Sequence, residues 1–254
     1  MEQLIPEPIA ETTAYDAYRS AAEQVCRLNF VQSVDGRATD AEGLSGGLGG
    51  PGDLEVFTAL RALADAILVG AGTARAEGYG PHRLRPSLAI RRRRDGRMGP
   101  APIVLVTRSA AIDPGARVFT DARTRTIVLT CTAAPASRRA ALAEVADLIL
   151  AGEDDVDLHA GLAALRARGL SHVLCEGGPS LAGDLLAGGL IDEVCTTIAP
   201  RLVGGDGPGM VTGLGAPLDL ELVRLLTDGG ELFATYRPVV EGGASHRHEA
   251  APGA

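Results

Sequence analysis

The 254-residue sequence predicts an α/β fold on a mainly parallel sheet. Three observations predict it. Short apolar runs alternate with segments of helical period through most of the chain, as in successive βαβ units. One such run, Ser171–Cys175, reads as a buried strand that breaks into Gly177-Gly178 before Pro179 opens a helix. The last two strand-like runs flank Asp228-Gly229-Gly230 and read as an antiparallel hairpin at the sheet's end. Hydrophobic residues make up 46% of the chain, aromatics only 3%, and Trp is absent, so the core is one of Ala, Leu, Val and Ile. The length fits one large domain better than two.

The elements follow in order. Residues 1–24 read as an irregular lead-in. Arg27–Ser33 is a strand that leaves through the turn Val34-Asp35-Gly36-Arg37. Residues 43–52 hold six glycines and form a loop, either flexible or shaped around a ligand. Asp53–Leu63 has helical period, with Leu54, Phe57, Leu60 and Ala64 on one face. Ala66–Val69 is a short strand running into Gly70-Ala71-Gly72-Thr73, after which a second helix starts. Residues 77–101 are polar, Arg-rich and aperiodic. Ile103–Thr107 and Thr126–Cys131 are strands; Ala136–Val145 and Leu158–Arg168 are helices, the second stopped by Gly169. Helix Pro179–Ala187 follows the Gly-Gly turn, Pro being suited to a first helical position. Glu193–Ala199, Glu221–Leu226 and Leu232–Arg237 complete the strands. One domain over 25–240 and a disordered tail over 241–254 are expected.

Composition excludes several classes. The net charge of −8 is wrong for a general nucleic-acid binder, whose footprint is basic. No apolar run reaches the ~20 residues of a membrane span. Residues 1–16 lack the basic and apolar regions of a secretory signal. Cys26, Cys131, Cys175 and Cys195 are far apart and show no C-x-x-C spacing, so four buried thiols in a reducing cytoplasm are expected. The five histidines have no metal-ligand spacing, and no metal is expected.

The motif with most chemical content is Glu176-Gly177-Gly178-Pro179-Ser180-Leu181. Glycines admit a sharp turn or a close ligand, and the free N–H groups of the following helix attract phosphate. Glu176 stands at a strand's carboxyl end, where open α/β sheets place ligands. Gly70-Ala71-Gly72-Thr73-Ala74-Arg75 resembles the start of a dinucleotide fingerprint, but Arg75 replaces its third glycine. A phosphate or ribose contact and a plain tight turn stay equal readings there. Gly43-Leu44-Ser45-Gly46-Gly47 fits G-x-S-x-G, but no strand leads into it and Pro51 delays the helix, so a serine hydrolase using His159 or His172 is disfavoured. Arg91–Arg94 with Arg97 reads first as a solvated surface loop and second as a rim for phosphorylated ligands.

An ordered set carries a family resemblance. Its parts are Ser33-Val34-Asp35-Gly36-Arg37, Ser45-Gly46, the run Arg61–Thr73, Glu176–Leu181, Ile191-Asp192-Glu193 and Ile198–Gly205. Over roughly residues 25–237 the chain resembles the reductase domain of bacterial bifunctional riboflavin-biosynthesis proteins. It is most similar to the stand-alone actinobacterial pyrimidine reductases of that family. The resemblance implies a dihydrofolate-reductase-like, three-layer α/β/α fold, NADPH as hydride donor and a homodimer, to which the composition adds a cytoplasmic location and no membrane or nucleic-acid partner. It also implies reduction of the ribosyl group of 5-amino-6-(5-phosphoribosylamino)uracil to the ribitylamino product. A dihydrofolate or other pterin reductase, and a silent NADPH-binding protein, are the alternatives.

By motif position the resemblance assigns Ser45, Arg61 and Glu176 to the substrate, Arg61 as a phosphate clamp and Arg83 as a second phosphate-binding arginine. It assigns Gln32, Gly70, Gly72, Thr73 and the Gly177-Gly178-Pro179-Ser180-Leu181 turn to NADPH. Gly47 stands where the family commonly has Trp, so it can act only through its backbone. Glu176 and Asp35 are the candidate acids, Asp35 having an equal reading as a turn-capping residue. Two departures, Asn29 for a common Lys and the altered segment Glu77–Arg83, bear on which pyrimidine is used.

Overall fold

The structure is a computed structural model that describes residues 1–239; the expected tail at 241–254 lies outside the described residues. Its elements are β1 (Glu2–Ile5), α1 (Ala14–Tyr18), β2 (Val25–Ser33), α2 (Pro51–Leu63), β3 (Ala66–Gly70), α3 (Ala71–Ala76), α4 (Pro86–Arg94), β4 (Ile103–Val106), α5 (Arg117–Thr120), β5 (Ile127–Thr130), α6 (Ala136–Val145), β6 (Asp147–Leu150), α7 (Leu158–Ala167), β7 (His172–Cys175), α8 (Pro179–Ala187), β8 (Glu193–Ala199), β9 (Leu220–Asp228) and β10 (Glu231–Pro238).

They form one ten-stranded sheet in the order β1-β9-β10-β8-β2-β7-β3-β4-β5-β6. From β8 to β6 every neighbour pair is parallel; β10, β9 and β1 extend the sheet antiparallel. The fold class expected from the sequence is the one observed. The terminal hairpin closes through Gly229 and Gly230, both at positive φ, with Glu231 opposite Asp228. Two consecutive positive-φ residues are what a two-residue hairpin turn requires.

The parallel strands β3 and β4 are apolar on both faces, and the sheet separates two cores. In β3, Ile67 and Val69 point to one core and Ala66 and Leu68 to the other. The first core is covered by α1, α2, α5 and α6, the second by α7 and α8. The four cysteines are buried and unpaired, as expected. Burial pushes the Cys175 thiol up to about 12, so it is inert at neutral pH.

Several expectations are corrected. The lead-in is not irregular: β1 pairs with β9, and α1 buries Ala14, Tyr15 and Tyr18 beside α2. Thr13 caps α1, its hydroxyl accepting from the Asp16 N–H. The aperiodic segment 77–101 contains α4. Its arginines divide: Arg93 and Arg94 are exposed, the solvated reading, whereas their neighbours are tied down. Arg92 is buried and donates to the carbonyls of Ala62, Ala64 and Gly99. Arg97 pairs with Asp65, and Arg91 pairs with Asp16 over the Tyr15 ring. In α2 the core face is Val56, Ala59, Leu60 and Leu63, whereas Leu54 is half exposed. Leu54 and Phe57 belong to a stripe turned away from the core.

Candidate active site

Helix α2 is held at both ends by other elements. Gly50 at its N-cap has no side chain, and Glu231 of β10 supplies the cap instead. Its carboxylate accepts from the N–H groups of Gly50 (2.7 Å), Gly52 (3.0 Å) and Asp53 (3.2 Å). At the other end the buried Arg92 satisfies the last carbonyls. The helix so fixed presents Asp53, Phe57 and Arg61, spaced i, i+4 and i+8, as one stripe.

That stripe forms a wall of a cleft of about 820 Å³ at the carboxyl ends of the central strands. Asn29, Phe30 and Val31 of β2 line it from the sheet, and the glycine loop with Ser45 and the Tyr79–Pro81 segment close other sides. Arg61 reaches Glu176 through two parallel contacts, Nε to Oε1 and Nη2 to Oε2, both 2.6 Å. The Tyr79 hydroxyl donates to Glu176 Oε2 at 2.7 Å. Arg61 also lies 4.2 Å above the Phe57 ring. Burial alone would lower the Arg61 pKa, but the Glu176 carboxylate outweighs it and holds the guanidinium charged. Burial, then Glu176, pushes the Tyr79 hydroxyl well above its ordinary value. Behind this group His82 is buried, its Nδ1 without a partner among the described residues. Burial and then Arg61 push His82 down to about 4, so its ring is neutral.

The Gly-Gly turn is built by two parallel strands ending side by side. The Glu176 N–H donates to Leu68 O, and the Gly70 N–H to Gly177 O at 2.8 Å. The Gly177–Gly178 peptide is cis. Gly177 has φ +86°, and a Cβ there would lie 2.6 Å from the Phe30 ring. A Cβ on Gly178 would run into Thr73 Oγ1. The bare backbone leaves a second cleft of about 590 Å³, lined by Gly70–Thr73, Thr107, Arg108, Gly178–Leu181 and Asp184 among others. Thr73, Gly178 and Pro179 line both clefts. No side chain caps α8, and its first turn, Pro179–Leu181, lines this second cleft. Bare glycines, free helix N–H groups and one arginine fit the diphosphate of a dinucleotide.

Ser45, Arg61, Thr73, Glu176, Gly178 and Pro179 thus line the first cleft, and Gly70, Gly72, Ser180 and Leu181 the second. Gly177 shapes the turn rather than facing either space. Four expected residues are elsewhere. Asp35 lies outside both clefts. It accepts from the Ser33 hydroxyl and the N–H groups of Val203 and Gly204, and these bonds, Ser33 first, hold its carboxyl down at about 2. It caps a loop and has no proton to donate at neutral pH. Gln32 lines neither cleft. Gly47 turns its carbonyl to Arg201. Arg83 is exposed and outside the lining. The Arg61 fork, expected to clamp phosphate, is engaged by Glu176. His159 and His172 line neither cleft, which removes the hydrolase reading. Asp53, Phe57, Tyr79, His82 and Arg108 were not expected in the site; the Asp53–Phe57–Arg61 spacing was the signal for the first two.

Two clefts that share Thr73, Gly178 and Pro179 at the sheet's carboxyl edge define an α/β domain with two adjoining sites, and the chain belongs to the RibD C-terminal domain family, whose model matches residues 25–234. Among its relatives, the 2,5-diamino-6-ribosylamino-4(3H)-pyrimidinone 5′-phosphate reductase of Methanothermobacter thermautotrophicus is 36% identical over 216 residues, 82% of this chain and 95% of that one. The riboflavin biosynthesis protein RibD of Mycobacterium tuberculosis is 32% identical over 177 residues, 69% of this chain and 42% of that one. A pyrimidine reductase-like protein of Corynebacterium diphtheriae superposes with a TM-score of 0.79 at 28% identity, covering 91% of this chain and all of its own.

Proposed function

We propose that this chain is an NADPH-dependent oxidoreductase that reduces the ribosyl group of a 5-phosphoribosylaminopyrimidine to the ribityl product, the reductase step of riboflavin biosynthesis. The observation that carries this reading is the shared sill of Thr73, Gly178 and Pro179 between a cleft suited to a diphosphate and a larger one holding Arg61 and Glu176. The names of the relatives agree with it.

Gly70–Thr73 and Gly178–Leu181 would hold the nucleotide, with Arg108 available to its extra phosphate. Bound there, NADPH supplies hydride to C1′ of the ribosyl group. The protein's own contribution is placement and electrostatics. The sill brings the two ligands into contact. Arg61 offers its remaining Nη1 to the substrate phosphate, while its fork fixes Glu176 beside the ribose. Phe57 and Phe30 give an apolar surface to the planar pyrimidine. A homodimer in the cytoplasm is part of the same proposal. No helix among the described residues is long and apolar enough to cross a membrane.

The expected substrate is 5-amino-6-(5-phosphoribosylamino)uracil. The relative at 36% identity favours a second, the 2,5-diamino-4-pyrimidinone form. The test is NADPH oxidation with each compound, NADH and dihydrofolate as controls, and the product identified by mass. Turnover with either pyrimidine and NADPH is expected. Tight NADPH binding with no turnover of either would overturn the assignment.

A further inference from the structure

Ring opening must precede reduction, because hydride adds to a C=N bond and not to the closed ribosylamine. Opening breaks the C1′–O4′ bond: the ring oxygen takes a proton, and the nitrogen lone pair forms the protonated imine. No residue assigned so far supplies that proton. The titratable side chains lining the larger cleft are Asp53, Arg61, Glu77, Tyr79 and Glu176. Arg61 and Tyr79 are held in their protonated forms and donate to Glu176. Both oxygens of Glu176 are occupied as acceptors. Glu77 accepts from the Ser45 N–H at 3.0 Å and ties the glycine loop to the end of α3.

Asp53 remains, in an unusual position. At the first turn of a helix a carboxylate ordinarily caps free N–H groups and is stabilised as the anion. Here Glu231 has taken those donors, the Asp53 N–H among them. The Asp53 side chain therefore folds over Gly49, where any Cβ would collide with its carboxyl group. It lies between a buried carboxylate on β10 and the Thr197 hydroxyl on β8, on the same stripe as Arg61 two helical turns away. Burial, and to a lesser degree Glu231, pushes its pKa up against the opposing Thr197 bond. A carboxyl group deprived of the helix N–H donors, buried beside a second carboxylate, keeps its proton more readily than an ordinary one.

We propose that Asp53 is the general acid of ring opening, giving its proton to O4′ as the C1′–O4′ bond breaks; this rests on the reductase reading above. The proton returns from solvent after the amine is formed, so the acid is regenerated.

The experiment separates ring opening from reduction. Wild type, Asp53→Asn and Asp53→Ser are compared in two assays. The first is steady-state NADPH oxidation with the pyrimidine. The second is exchange between the two C1′ anomers, followed by NMR with NADP⁺ in place of NADPH, which needs opening but no hydride. Both variants should lose about 10²–10³-fold in kcat, the usual contribution of a positioned acid. They should also lose the anomer exchange, while NADPH affinity and melting temperature stay near wild type. A variant that reduces at close to the wild-type rate, or that is slow yet exchanges anomers as wild type does, overturns the role of Asp53 and leaves the reductase reading standing. A wild-type protein inactive with both pyrimidines removes the reductase reading and this role with it. Ser suits a helix's first turn, so it provides a folded acid-free protein if Asn does not.

Discussion

Arg61 and Glu176, 115 positions apart, hold each other by two parallel N–H to carboxylate bonds of 2.6 Å. This fork-to-fork geometry is the strongest ion pair side chains make. It ties α2 to the end of β7, so the α2 wall of the larger cleft and the Gly-Gly turn are one mechanical unit. The Glu176 side chain is only 3% exposed. Either Arg61→Ala or Glu176→Ala should therefore cost about 3 kcal/mol, the cost of stranding a buried charge. Replacing both by Leu should recover most of that stability with no recovery of activity. Denaturant unfolding of the three variants checks this.

Gly178→Ala is expected to weaken NADPH binding at least about tenfold, since its Cβ would occupy the space Thr73 Oγ1 holds at the shared sill. Fluorescence titration measures it. Unchanged affinity in a folded Gly178→Ala protein would show that the turn serves packing alone.

His82 predicts an acid-side loss of stability. Its folded value is about 4, below the ordinary 6.5, because burial first and Arg61 second disfavour the charged ring. Above pH 6.5 the ring is neutral in both states and costs nothing. As pH falls from 6.5 to about 4, the unfolded chain takes up a proton that the folded one refuses. The folded state then loses up to about 3 kcal/mol, since each tenfold difference in proton affinity between the two states is worth roughly 1.4 kcal/mol. Urea unfolding of wild type and His82→Gln at several pH values should show the smaller acid dependence in the variant. Identical slopes between pH 6.5 and 4 would refute it.

The arginine run predicts opposite outcomes for neighbours. Arg92→Ala removes the donor to three carbonyls, those of Ala62 and Ala64 buried, and should cost about 3 kcal/mol. Arg93→Ala and Arg94→Ala, both exposed, should stay within about 0.5 kcal/mol of wild type. Thermal melts of the single variants decide between a structural residue and a solvated patch.

What the sequence revealed follows from which interactions are local. Ile103–Val106 and the Gly-Gly-Pro opening of α8 carry their own signals, an apolar run and a glycine turn into a helix-opening proline, and were legible. β1 and α4 were not. The strand Glu-Gln-Leu-Ile has no apolar pattern of its own and exists through pairing with β9, more than two hundred residues later. Helix α4 ends in four consecutive arginines that hide any apolar period, and it is anchored by Arg92 reaching across to α2. Within the site, Ser45, Arg61, Thr73, Glu176 and Gly178 were legible because they sit in compact motifs. Asp35 misled because turn chemistry and acid chemistry use the same side chain. Asp53 and Tyr79 escaped because their meaning lies in what faces them, Glu231 for one and Glu176 for the other.

β1 is the edge strand of the sheet and lines neither cleft. β1 covers the outer flank of β9, where Gln3 faces Leu226 and Ile5 faces Leu225. A chain shortened by its first nine residues would retain all the ligand-facing groups. It would also expose the bare amides and carbonyls of β9 around Leu225–Thr227 to any second molecule. Such trimming would show itself as clumping and loss of soluble protein, long before any change in the chemistry of the molecules that stayed dispersed.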